Sequence, residues 1–512
     1  MSLSVSTTLE ETRGAPGGPL DDEPAFETRG IEYIPVSERR GTPIDLFWMW
    51  AGALFNVEYV VYGALLIVAF DLRFWQAAVV ILVGNLSYLI TGLGSLQGPR
   101  AGTAAFTINR APYGPNGAKL IAVFNWMTQV GYEVVGLALV VAAGLALFGK
   151  AGVDSSTGLK VVLVVVAALI QLVLPLFGHR AMLRILRMLV PPFVVLFILL
   201  AILALPKAHL GAGHNASWAE MMAALALILS SGGYGWPMNA NDFSRYLPPD
   251  TSAKKIVWSV ALGGFIPTTL LLALGAAVAT AVPASSDPIG GLPHAFAGWF
   301  IWPYLVFVLV QLFAINSIDL YSSGLTLQAI IPRIKRWQCV LLDTAVAGGL
   351  TAFTVFSTGF NTFIQDFVLF MIIWIAPWVA IYLTDYFLRR GRYDSRSLLD
   401  TRSGVYFRNG GLHVPGLVAQ LIGMVAAASW LDAYPAWTSP LTNHTGGADF
   451  SVFMGALFGG GVYWLLARRS VRAETGPPVG STRDPVALAH EPIVQPREDS
   501  SSTNAERSIT AA

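Results

Sequence analysis

The chain has 512 residues, of which 54% are hydrophobic and 12% charged, with a net charge of +1. Soluble proteins carry about 25% charged residues, so this chain lacks the charge to coat a water-facing surface of its size. Its near-neutral balance gives no electrostatic reason for a nucleic-acid partner. A lone cysteine, Cys339, and seven scattered histidines offer neither an internal disulfide nor a recognisable metal site. The composition excludes a soluble multidomain protein and predicts an all-α polytopic membrane protein.

Residues 1–43 are rich in Gly, Pro, Thr and Glu and lack the apolar core of a signal peptide. They read as a disordered cytoplasmic tail, as do residues 470–512. Between them lie twelve apolar runs long enough to cross a bilayer: about 46–70, 74–97, 120–148, 160–178, 183–205, 219–246, 256–281, 299–329, 338–357, 364–388, 413–431 and 449–467. With both ends on the cytoplasmic side, 28 of the 32 lysines and arginines fall in cytoplasmic segments, as the positive-inside rule requires. The expected location is therefore a cell membrane, crossed many times, with both termini inside.

Two of these spans cannot be regular helices. The first contains Trp50, Gly52, Asn56 and Glu58; the sixth contains Gly232, Gly233, Tyr234, Gly235, Trp236 and Pro237. Three glycines and a proline in six residues break a helix. Freed backbone at membrane depth survives only where it lines a cavity or is buried in protein. Interruptions at corresponding positions of two halves point to an inverted-repeat transporter with a midplane site.

The interior polar residues predict what that site holds. Gln129, Tyr132, Glu133 and Gly136 share one helical face, and Asn316, Asp319 and Ser323 share another. Aromatic rings stack on a flat heterocycle, and carboxamides pair with its edge. Tyr132, Trp236 and Tyr234 are the candidate stackers, Gln129 and Asn316 the candidate edge readers, and Gly233 and Gly235 the candidate donors of free backbone groups. Charges inside spans are costly and usually functional, which selects Glu58, Glu133 and Asp319 as candidates for ion coupling, with the backbone around Asn56. Asp242 and Asp385, beside arginines, read as structural ion pairs. No nucleophile–base pair or phosphate loop supports an enzyme, no cofactor is implied, and nothing requires a protein partner. A channel remains the rival class, distinguished by flux that neither saturates nor couples to an ion.

Several segments resemble the nucleobase:cation symporter-1 family, the permeases for purines, cytosine, uracil, allantoin, hydantoin and thiamine. Residues 98–119 are similar to that family's loop after span two. Thr128, Gln129, Val130, Gly131, Tyr132 and Glu133 resemble its third-span motif. Gly235 and Trp236, followed by the run from Ala240 to Pro248, resemble the end of span six. Asn316 to Ser323 and Pro377 to Asp394 are similar to the motifs of spans eight and ten. The resemblance implies a ten-helix core over 44–395, with repeats at about 46–205 and 219–390. Two extra helices in 396–469 complete the expected fold. It also implies import of a nucleobase, cytosine or a purine, by cation symport. Two departures alter the implied pocket: Tyr132 stands where a tryptophan is usual, and Asn316 is followed by Ser317 rather than a second asparagine. Allantoin, hydantoin, uracil or thiamine are the alternative substrates within the same fold. Sodium in this fold commonly uses span-eight hydroxyls, and there is no Ser or Thr between Trp302 and Asn316. That favours a proton over sodium as the coupling cation.

Overall fold

The computed structural model describes residue 27 and residues 29–475, except 358–359 and 434–436. The tails assigned to 1–26 and 476–512 lie outside the described residues.

Each apolar run folds as helix. The first begins at α1 (Pro43–Leu54), where Asp45 accepts from the Thr42 backbone N–H at 2.9 Å, a capping box. α1 stops at Phe55, and α2 (Val57–Val68) restarts at an angle of 61°. Asn56 is the extended residue between them, and its carbonyl oxygen Oδ1 accepts from the Glu58 N–H at 3.1 Å. Span two comprises α3 (Phe74–Asn85), α4 (Tyr88–Gly94) and α5 (Gln97–Ala101). Two single turns, α6 (Ala105–Ile108) and α7 (Arg110–Tyr113), lead to the 36-residue α8 (Pro115–Lys150). α9 (Thr157–Phe177) and α10 (His179–Ala204) follow.

The sixth span is broken as its glycines predict. α11 (Trp218–Ser231) ends at Gly232, and α12 (Pro237–Ser244) restarts with proline in its first turn, where the missing N–H costs nothing. The remaining helices are α13 (Ala253–Ala279), α14 (Ile301–Ile330), α15 (Arg336–Phe356) and α16 (Phe360–Arg389). A short α17 (Ser395–Leu399), α18 (Val414–Ser429), α19 (Pro440–His444) and α20 (Ser451–Thr475) complete the chain. A two-residue hairpin at Asp432–Ala433 and Trp437–Thr438 is the sheet structure among the described residues. Nine of the described helical segments are individually long and apolar enough to cross a membrane, and the bent α1–α2 pair makes a tenth span. α11 and α18 are shorter apolar helices. The outward side chains of α9 and α10, Leu169, Val195 and Ile202 among them, are more than half exposed, which suits contact with lipid rather than water.

Packing divides the helices into three groups. α1, α2, α3, α4, α11 and α13 form one, α8, α9, α14 and α15 a second, and α16, α18 and α20 a third. α2 and α13 cross at small residues: a Cβ on Gly63 would meet the Leu272 carbonyl oxygen at 2.0 Å, and one on Gly275 the Val60 carbonyl oxygen at 1.9 Å. Backbones approach this closely only through glycine.

Residues 29–42 correct the expectation of a disordered tail reaching 43. They include a 3-10 turn at Val36–Glu38 and pack against the ends of the helices. Likewise 470–475 continue α20. Of the two carboxylates read as ion pairs, Asp385 bonds Arg389 at 2.8 Å. Asp242 instead accepts from the Ala105 N–H at 2.9 Å, while the neighbouring Arg245 reaches Glu27 and the Gly30 carbonyl.

Candidate functional site

The two helix breaks face each other across a cavity. α2 and α12 begin there, so the positive ends of two helices point into it. Its walls come from all the helices that sequence reasoning singled out. α2 gives Glu58, Tyr59 and Tyr62; α8 gives Tyr132. The α11–α12 break gives Ser230, Ser231, Gly235, Trp236 and Met238, and α14 gives Ile315, Asn316 and Asp319. The open space is about 20 Å³, room for about one water. A planar heterocycle enters only if side chains part.

Trp236 is held at this wall by two contacts. Its indole Nε1–H donates to the Tyr59 hydroxyl at 3.2 Å, and its ring meets Trp50 edge to face with centroids 5.5 Å apart. Beyond Trp50 the aromatic column continues through Phe243, Tyr321, His179 and Tyr246. That column fills the molecule between the cavity and the face carrying the N-terminus. Tyr132 also lines the cavity, its hydroxyl donating to the Met371 sulfur at 2.6 Å.

Two carboxylates, Glu58 and Asp319, face the cavity, and no lysine or arginine stands among the residues lining it. Asp319 accepts from the Asn239 carboxamide at 3.4 Å, and Asn239 in turn accepts from Gln129 Nε2. Asn316 donates to the Glu133 backbone oxygen at 3.3 Å and to Gln171 Oε1 at 3.4 Å. Its position depends on Gly136: a Cβ there would meet Asn316 Oδ1 at 2.1 Å.

Behind this wall lies a second polar cluster. The Ser323 hydroxyl is 2.9 Å from Glu133 Oε1 and also contacts Asp343 Oδ2, and Trp126 donates to Asp343 Oδ1 at 2.8 Å. Glu133 Oε2 is buried with no hydrogen-bond partner. All three residues of the cluster, Glu133, Ser323 and Asp343, are fully buried.

The structure thus brings Glu58, Tyr132, Gly235, Trp236, Asn316 and Asp319 together at one cavity. It places five other candidates elsewhere. Gln129 bonds Asn239 one layer behind the wall, so its carboxamide is not an edge reader in this geometry. Tyr234 turns its hydroxyl to the Ala376 carbonyl at 3.1 Å and packs against α16. The Gly233 carbonyl accepts from Thr91, and a Cβ on Gly233 would strike the backbone of Tyr88, so this glycine serves helix packing. Glu133 belongs to the rear cluster, and Asn56 caps α2. Sequence reasoning missed Asn239, Tyr59 and Asp343. A single aspartate in an apolar span was the available signal for Asp343. Among the described residues no group of three or more potential ligands could hold a metal ion.

Residues 33–455 match the family described as permeases for cytosine/purines, uracil, thiamine and allantoin. The chain is 26% identical to the purine-cytosine permease fcyB of Emericella nidulans, over 86% of this chain and 88% of the relative. It is 27% identical to the purine-cytosine permease FCY21 of Saccharomyces cerevisiae, over 66% and 67%. A vitamin B6 transporter of the same yeast, TPN1, is 25% identical over 64% and 59%. Among solved structures, the chain resembles Mhp1, a nucleobase-cation-symport-1 family transporter in a closed conformation with bromovinylhydantoin bound. The TM-score is 0.70 at 17% identity, covering 91% of this chain and 99% of that one.

Proposed function

Because the chain belongs to the family of permeases for cytosine/purines, uracil, thiamine and allantoin, we propose that it imports a nucleobase, cytosine or a purine, by proton symport through alternating access. The observation that carries this reading is the cavity between the broken spans. Trp236 and Tyr132 line it together with Glu58, Asp319 and Asn316, which supply its polar groups. Ring faces stack on a planar base. Carboxylates accept from exocyclic amines and ring N–H groups, and Asn316 offers a donor and an acceptor. Two helix N-termini favour the oxygen of a ring carbonyl. A cavity with two acids and no cation suits a donor-rich heterocycle better than an anion. The relatives, purine-cytosine permeases and a vitamin B6 transporter, support planar nitrogen heterocycles as cargo.

The coupling reading rests on counting hydrogens. Ser323 has one hydroxyl proton and two carboxylate neighbours, Glu133 and Asp343. It donates to one; the contact with the other is favourable only if that carboxyl carries its own proton. Two buried carboxylates without a counter-cation are otherwise costly. This favours a proton held between α8, α14 and α15. Asp319, one turn from Ser323 on α14, is the candidate link between that proton and the cavity. The basic-residue asymmetry supports a cytoplasmic location for the termini and for the face that carries residues 29–42.

The test is uptake by purified protein in liposomes. A panel of cytosine, adenine, hypoxanthine, uracil, allantoin and pyridoxine is offered under an imposed proton gradient, a sodium gradient, or neither. Accumulation of a base driven by protons alone supports the reading. A requirement for sodium refutes the coupling, and accumulation of none of the nucleobases refutes the cargo.

A further inference from the structure

We infer that Glu27 and residues 29–41 form a strap that locks the mouth of the transport path on the face they cover, with Glu27 as its clasp. The inference rests on the alternating-access reading above. It starts from where the strap is bonded.

The Glu27 carboxylate sits where four helices end. Its Oε1 accepts from Tyr321 at 3.1 Å and from Tyr246, and lies 3.7 Å from Arg245 Nη2. Its Oε2 accepts from the His179 N–H at 2.8 Å, at the start of α10, and lies 4.0 Å from Arg336 Nη2. The Glu27 backbone oxygen accepts from Arg336 Nε and Nη2 at 3.2 and 3.1 Å. Arg245 closes α12, Tyr321 is on α14, and Arg336 opens α15. Gly178, which a Cβ could not occupy beside Glu27, lets the α9–α10 turn wrap the carboxylate. Burial would raise the Glu27 carboxyl, but Arg336 and Arg245, with the Tyr246 hydroxyl and His179, hold it below the usual carboxylate range. Asp242 lies near Arg245, and Asp45 and Arg180 near His179. The clasp is therefore ionised throughout the neutral range and is released by movement rather than by protonation.

From Glu27 the strap runs across the seam between the first two packing groups. Arg245 donates to the Gly30 carbonyl, and the Ile31 N–H donates to Gln328 Oε1 on α14 at 3.1 Å. Ile34 N–H then bonds the carbonyl of Gly102, the residue after α5, at 2.9 Å, and Arg39 bonds the carbonyl of Pro99 within α5 at 2.7 Å. At its far end the strap continues directly into α1. One end is thus tied to α14 and α15 of the second group and the other is covalently part of the first. Beneath it stand Tyr246, His179 and Tyr321, the outer end of the aromatic column that reaches Trp236. A path to this face cannot open between the groups while the strap is bonded to both.

The test uses the full chain in proteoliposomes and two perturbations. In a Cys339→Ser background, Gly30→Cys with Gln328→Cys places two thiols across the seam. A Cβ on Gly30 would stand 2.6 Å from Gln328 Cδ, so the two side chains abut across the seam. Oxidation is expected to cut uptake at least about tenfold, and dithiothreitol to restore it, with either single cysteine insensitive. Independently, Glu27→Gln keeps the shape and removes the charge. Deuterium exchange of the peptide spanning 29–41 is expected to speed up at least about tenfold, equivalent to 1.4 kcal/mol. Full uptake by quantitatively cross-linked protein, or unchanged exchange in Glu27→Gln, overturns the lock. The exchange measurement needs no substrate. A wild type that moves no base while Glu27→Gln loosens the strap therefore sinks the proposed cargo and leaves the strap standing.

Discussion

Trp236→Ala tests the recognition geometry most directly. Base–aromatic stacking is worth about 1–3 kcal/mol by alanine substitution, so the dissociation constant of the preferred base should rise about 5- to 150-fold at 1.4 kcal/mol per decade. The substitution also removes the edge-to-face contact with Trp50 at 5.5 Å, worth about 0.5–1.5 kcal/mol, and the bond to Tyr59, worth about 0.5–1.5 kcal/mol. Part of the effect could therefore come from a loosened wall. Trp236→Phe separates the two: it keeps a ring to stack and loses the Tyr59 bond. Equilibrium binding of labelled base to detergent-purified protein, with thermal unfolding of each variant alongside, reads both terms. Trp236→Phe should lose less than tenfold in affinity while Trp236→Ala loses the larger amount. Wild-type affinity in a folded Trp236→Ala protein would refute the placement of the base against this indole.

The rear cluster should govern accumulation rather than binding. Glu133→Gln and Asp343→Asn are each expected to keep base exchange within about threefold while concentrative uptake falls to the level without a proton gradient, measured by counterflow against net uptake. Gly136→Ala drives a Cβ into Asn316 and should weaken base binding about tenfold, one displaced hydrogen-bonding carboxamide on the scale of an unsatisfied buried group. Gln129→Ala, which removes only the bond to Asn239, should cost affinity less than Trp236→Ala does; the same binding assay decides the order. For Glu27 the sign follows from its lowered value. Its contribution is present above the ordinary carboxylate range and is lost as pH falls below it, so the strap's protection factor, exchange corrected for the intrinsic amide rate at each pH, should be flat through the neutral range and fall only in stronger acid. Glu27→Gln should abolish that acid limb.

The span pattern and both breaks were legible because each rests on a local rule. Twenty apolar residues need a bilayer, and Gly232, Gly233, Gly235 and Pro237 cannot share one helix. Side-chain direction inside a break was not legible. Gly232 to Trp236 have no helical period, so nothing in the sequence separates Trp236, which faces the cavity, from Tyr234, which faces α16. On the regular helix α8 the period does hold: Tyr132 reaches the cavity and Gly136 admits Asn316. Gln129 shares that face but lies about one turn away, where Asn239 occupies its carboxamide. Asp343 was available to the argument that selected Glu133, a charge inside an apolar span. The strap was invisible for a different reason. Glu27 meets Arg245 and Arg336 across more than 200 residues of chain, and a Gly- and Pro-rich segment gives no periodic sign that it packs.

α8 and α14 each contribute to both the cavity and the rear cluster, and this gives the proposed coupling a physical route. Tyr132 and Glu133 are adjacent on α8, one facing the cavity and the other Ser323. On α14 Asn316 touches both sets, lining the cavity while donating to the Glu133 backbone, and Asp319 lies one turn before Ser323. A cavity with room for about one water takes a base only if its lining parts, and Tyr132 and Asn316 are among the residues that line it. Movement of either shifts the backbone that sets the distance between Glu133 and Ser323. A proton bound there must then alter base affinity, and by linkage the base must alter proton affinity by the same factor. Measuring base affinity against pH and proton uptake against base therefore over-determines the coupling. Linkage that persists undiminished in Glu133→Gln would show that the proton resides elsewhere, and Glu58 at the cavity itself would be the next carboxylate to neutralise.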